Sequence, residues 1–127
     1  MYRSRVGSIV IDCDDLEVGI RFWTQALGLE LQRRDEVYAD LGRVDGVLRL
    51  LLQKVPEPKT AKSRMHFDIE SDDPAAEVRR LTALGARVQR RDDKTTVMED
   101  PCGNEFCVIP PETAGFPARA RSWEVPR

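Results

Sequence analysis

The segment Arg64-Met65-His66-Phe67-Asp68-Ile69-Glu70 holds the protein's only histidine, and it alternates polar with apolar residues at the period of a half-buried strand. That period puts Arg64, His66, Asp68 and Glu70 on one face and Met65, Phe67 and Ile69 on the other. Histidine is the side chain that changes charge near neutral pH. A histidine beside a carboxylate that orients its ring is general-base chemistry, so His66 and Asp68 are the catalytic candidates. The plain alternative is a strand with one solvated face, on which the ring is simply hydrogen-bonded in place.

The elements that must position this strand occur twice. Arg5–Asp12 reads as an opening strand, with Ile9 and Ile11 on one side and Ser8, Val10 and Asp12 on the other. Asp14 and Glu17 stand at capping-box spacing before a helix whose apolar positions are Leu16, Ile20, Trp23 and Leu27, closed by Gly28. Short strands follow at 29–33, 37–41 and 47–54, with turns at 34–36 and 42–46. Pro56 to Ser63 is proline-rich and polar and reads as a linker.

After the linker the same order begins again. Strand 64–70 leads to Asp73-Pro74, an N-cap with proline at the first helical position. The helix Pro74–Leu84 turns Val78, Leu81 and Leu84 inward and ends at Gly85. Strands at 87–91, 95–99 and 105–109 complete the unit, and Asp100-Pro101-Cys102-Gly103-Asn104 is a turn by composition. Adding 58 to the residue number lays Ile11-Asp12-Cys13-Asp14-Asp15 over Ile69-Glu70-Ser71-Asp72-Asp73, and Ser8 over His66. The sequence therefore predicts one domain over 1–110, made of units 5–55 and 64–110 joined by linker 56–63. A tail, 111–127, follows; it is either mobile or docked through Phe116 and Trp123.

The 127 residues carry 20 basic and 22 acidic side chains, a formal charge of −2, with both signs interspersed. This balance gives no field to attract nucleic acid or an anionic membrane. No apolar run is long enough to cross a bilayer and no secretory leader is apparent. Three cysteines, Cys13, Cys102 and Cys107, make neither a disulfide framework nor zinc-finger spacing. The expectation is a cytoplasmic protein.

Paired strand-helix-strand-strand-strand units, the helix stretch Phe22-Trp23-Thr24-Gln25-Ala26-Leu27-Gly28-Leu29 and the turn Asp100-Pro101-Cys102-Gly103-Asn104-Glu105 resemble the vicinal-oxygen-chelate superfamily. That group includes glyoxalase I, bleomycin- and fosfomycin-resistance proteins and extradiol dioxygenases. Asp12-Cys13-Asp14-Asp15-Leu16 with Phe22-Trp23 is similar to its glyoxalase-like branch. The resemblance implies an α+β fold of two βαβββ repeats, forming a curved, partly open sheet around a cleft with helices outside. It also implies a homodimer.

Metal-dependent relatives hold a divalent ion through the first and last strands of each unit. Carried onto this chain, the resemblance places the four ligand positions at Ser8, near Arg49, at His66 and at Cys107. Only His66 keeps the family's usual chemistry, so no metal ligand set is assigned. One imidazole cannot hold a catalytic ion that needs three or more protein ligands. A set of His66, Cys107 and Glu105 would favour zinc, and nickel, manganese or iron are further alternatives; a guanidinium at Arg49 opposes any of them. Cys107 beside His66 would also be the arrangement of an activated thiolate. The expectation is thus a protein without a cofactor that binds a drug or metabolite in its cleft through Ser8, Asp12, Arg49, Gln53, Glu105 and Cys107. The alternative is a lyase or isomerase of glyoxalase type, using a rebuilt metal site or His66 with Asp68 or Glu105.

Overall fold

The computed structural model describes residues 1–124. The chain divides into two compact units, Met1–Pro58 and Lys59–Arg127. In the first, β1 (Ser8–Cys13), α1 (Leu16–Leu27), β2 (Arg33–Arg34), β3 (Tyr38–Val44) and β4 (Leu48–Lys54) form a four-stranded mixed sheet of order β1-β4-β3-β2. In the second, β5 (Phe67–Glu70), α2 (Pro74–Ala83), β6 (Arg87–Asp92), β7 (Thr95–Glu99) and β8 (Glu105–Ile109) repeat the arrangement in the order β5-β8-β7-β6. The opening strand of each unit runs parallel to its last strand, and the other pairs are antiparallel. The fold is α+β with two βαβββ units, as the sequence predicts.

One face of each sheet is buried by its own helix. In the first unit Ala39, Leu41, Leu50 and Leu52 are fully buried beneath Leu16, Phe22, Trp23 and Ala26 of α1. Phe22 and Trp23 meet edge to face at 5.0 Å; each full burial of a large apolar side chain is worth about 1.5–3 kcal/mol. The buried stripe differs from the predicted one, because Ile20 and Leu27 are only half-buried while Gly19 is buried. The reason is a close approach: a Cβ at Gly19 would stand 2.7 Å from Cys13 Sγ. The missing side chain lets the helix backbone settle on β1 and turns Phe22 and Ala26 inward. In the second unit Val78 and Leu81 of α2 are buried, together with Met98, Phe106 and Val108 of the sheet.

Several boundaries differ from expectation for identifiable reasons. The N-cap of α1 is Asp15, whose carboxylate accepts from Val18 N–H at 3.2 Å, and not Asp14. The predicted strand 29–33 contracts to the two residues of β2. The loop predicted at 42–46 is mostly strand: β3 runs to Val44, and the chain reverses on Asp45 and Gly46, both at positive φ (51° and 69°). Two such residues make the hairpin turn whose twist matches that of the flanking strands. A bulge between Asp40 and Arg43 absorbs Gly42. In the second unit β5 begins only at Phe67, so Arg64 and Met65 precede the strand, and Met65 is exposed rather than packed.

The predicted linker is partly anchored. Lys59 Nζ donates to Glu105 Oε1 at 2.7 Å, and Ser63 N–H donates to Glu105 Oε2 at 3.0 Å. The Asp100–Asn104 turn is organised by the fully buried Asp100, whose carboxylate accepts from the backbone N–H of Cys102 and of Asn104 and from the Asn104 side-chain amide. The described part of the tail touches the second unit at two places. Glu70 accepts from the backbone N–H groups of Glu112 and Thr113, and the Arg80 guanidinium lies 3.8 Å from the centre of the Trp123 ring. A short helix, α3 (Phe116–Arg119), lies between these contacts. The tail's last three residues, 125–127, lie outside the described residues. Among the described residues, 1–124, no helix is long and apolar enough to cross a membrane.

Candidate functional site

In the second unit His66, just ahead of β5, places Nε2 3.3 Å from Asp68 Oδ1, and both side chains are well exposed. Asp68 on β5 pairs in register with Cys107 on β8, which pairs with Val97 on β7, which pairs with Arg90 on β6. The four lie in one row across the sheet, on the face away from α2. One ligand-type atom each from His66, Asp68 and Cys107 falls within 4.8 Å of the others. The apolar floor beside them is Val97, Cys107 and Ile109.

The electrostatics of this cluster oppose an activated thiol. Burial pushes the Cys107 thiol up from its ordinary value, and the Asp68 carboxylate raises it further; Arg90 and Lys62 counter this only in part. Both effects oppose the ionisation that a thiolate–imidazolium pair with His66 would need. Glu105 is turned to a different task. Burial alone would raise its carboxyl, but the hydrogen bonds from Lys59 and Ser63 overcome this and hold it at about 2. It ties down the linker, while Asp68 is the carboxylate beside His66.

In the first unit the face away from α1 carries the other expected residues in three rows. Ser8 pairs with Arg49, which also pairs with Arg43. Val10 pairs with Leu51, Leu51 with Asp40, and Asp40 with Arg33. Asp12 pairs with Gln53, which pairs with Tyr38. Arg49 Nε stands 3.5 Å from Asp40 Oδ2, and Asp40 Oδ1 accepts from Gly42 N–H at 2.9 Å. Asp40, Arg33 and Tyr38 were not legible as site residues. They reach this face through strand register, and the only signal for Asp40 was its place between the apolar Ala39 and Leu41.

Register also aligns the two units residue by residue. Ser8 matches His66, and Val10 therefore matches Asp68. The partner of Asp68 is Cys107, so the corresponding partner of Val10 is Leu51. By register, Leu51 corresponds to Cys107 and Arg49 to Glu105.

The profile of the glyoxalase-like domain matches residues 8–109. The chain belongs to this family. Solved structures agree with the fold of this glyoxalase-like protein. A glyoxalase-related enzyme from Fulvimarina pelagi is 18% identical at a TM-score of 0.65, covering 84% of this chain and 88% of its own. A fosfomycin resistance protein from Mesorhizobium loti is 12% identical at a TM-score of 0.67, over 93% of this chain and 100% of its own. The bleomycin-binding protein of Streptomyces verticillus, solved with copper(II)-bleomycin, is 22% identical at a TM-score of 0.56, over 88% and 100%. No curated protein matches the sequence. At these identities the likeness establishes the fold.

In the first unit, the positions that the resemblance assigns to metal ligands carry no strong metal donor. Leu51 has no donor atom and Ser8 offers only a neutral hydroxyl. The metal-type donors brought together are His66, Asp68 and Cys107, all from the second unit.

Proposed function

We propose that this glyoxalase-like protein binds a small organic molecule, a drug or metabolite, without the family's divalent ion. The observation that carries the reading is the pairing of the first unit's last strand with its first. The two positions that would supply ligands hold Ser8 and Leu51, and the same face offers hydrogen-bonding and apolar groups suited to an organic ligand (Arg49, Gln53, Val10 and Tyr38). A homodimer is proposed with it, and sedimentation at twice the chain mass is the expected result. The direct test is a thermal-shift screen of drugs and metabolites in the presence of a chelator. A shift that persists under chelation supports the reading, and shifts that require added metal overturn it.

The contact between His66 and Asp68 favours a second reading, a lyase or isomerase of glyoxalase type. In it the imidazole acts as general base and Asp68 fixes its orientation. His66→Ala separates the two. His66 is exposed, so stability should change by no more than about 0.5 kcal/mol. Loss of turnover on thiohemiacetals at unchanged melting temperature would favour the enzyme. Absence of turnover in the unaltered protein would retire it.

A further inference from the structure

We propose that the open face of the first unit captures the anionic group of its ligand, a carboxylate or phosphate, on the Arg49 guanidinium with Arg33 beside it. The inference deepens the small-molecule reading and rests on it. The chain as a whole is slightly acidic, yet register gathers Arg33, Arg43 and Arg49 on one face of β2, β3 and β4. The acidic groups on that face are Asp40 and Asp12, and Asp12 lies in the third row, across from Gln53. Positive charge is therefore in excess where Arg33, Arg43 and Arg49 meet.

The guanidinium of Arg49 is held in a way that leaves its outer edge available. Asp40 lies nearest Nε, at 3.5 Å, while the two Nη groups make no hydrogen bond among the described residues. Arg33 has no partner among the described residues either, and Arg43 is drawn aside to the Val47 carbonyl at 3.0 Å. A planar fork with two free N–H groups matches the two oxygens of a carboxylate or phosphate. Ser8, directly across from Arg49, adds a hydroxyl donor. Val10 and Leu51 fill the adjoining row, so the ligand's body is expected to be apolar. The ligand class is a small organic anion, such as an aryl carboxylate or an aryl phosphate monoester.

The test is calorimetric titration of the full chain with benzoate, phenyl phosphate, inorganic phosphate and neutral benzamide, at low and high salt. Benzoate or phenyl phosphate should bind, with benzamide at least tenfold weaker and anion affinity falling as salt rises. The stronger of the two identifies the group. Arg49→Gln should weaken anion binding about 10- to 100-fold, as for loss of a charged hydrogen bond. Arg49→Lys should be intermediate, and Arg33→Gln should weaken binding less than Arg49→Gln. If Arg49→Gln does not fold, Arg33→Gln and the salt dependence decide. Equal affinity for benzamide, no binding of any anion, or unchanged affinity in the folded variants overturns the proposal. Neutral compounds that bind while anions do not would overturn this inference and leave the small-molecule reading standing; a screen with no binder of either kind removes both.

Discussion

Asp68 and Cys107 face each other across the parallel pair β5–β8, and the carboxylate adds to burial in holding the thiol protonated. This one relationship separates the second unit's cluster from an activated nucleophile. It predicts that Cys107 alkylates slowly at pH 8, with a rate that keeps rising above the ordinary thiol range. Asp68→Asn keeps the shape and removes the charge, so it should lower the pH midpoint and speed the reaction a few-fold. Peptide-resolved mass spectrometry after iodoacetamide treatment measures both. A midpoint at or below that of a free cysteine would contradict the account.

Glu105 should make the second unit acid-sensitive. Its carboxyl is held at about 2, against an ordinary 4.5. A group whose pKa is depressed by folding adds stability above its unfolded value and loses it as pH falls through the folded one. The contribution is therefore full above about pH 5 and fades between 4.5 and 2. Discounted for the partly solvated Lys59, Glu105→Gln should cost about 1–2 kcal/mol at pH 7. Denaturation curves of the two proteins should converge near pH 2. A difference that does not change with pH would sink the claim.

How much of this was legible follows from which interactions are local. The helices, Asp73-Pro74, the Asp100 turn and the internal repeat announce themselves through caps, turn residues and periodicity within a few positions. His66 with Asp68 was legible because the alternation of residue types puts both on one side, two residues apart, even though the strand itself begins at Phe67. The partners of Glu105 were not, because Lys59 and Ser63 reach it across more than 40 residues, from a segment that composition marks as linker. That Leu51 lies opposite Val10 emerged only from the β1–β4 register, which the sequence does not state. The rotation of α1 onto Gly19 and Phe22 likewise depends on the close approach of Cys13.

That close approach gives a third prediction. Gly19→Ala gains helix propensity but drives a methyl into Cys13 Sγ, and overpacking of this kind costs about 1–3 kcal/mol. Pairing it with Cys13→Ala removes the obstructing sulfur, so the double variant should be less destabilised than the two single losses together. Chemical denaturation of the four proteins reads this directly. Additive losses would mean that the helix and strand do not meet as described.

The central proposal is that this glyoxalase-like protein binds its ligand without a divalent ion, and elemental analysis tests it most directly. Untagged protein would be measured as purified, and again after incubation with nickel, zinc, manganese or iron and removal of the excess. The account predicts no stoichiometric metal in either case, because Ser8 and Leu51 leave the first unit's face without a strong metal donor. About one tightly held ion per chain would contradict it and make His66, Asp68 and Cys107 the residues to alter next.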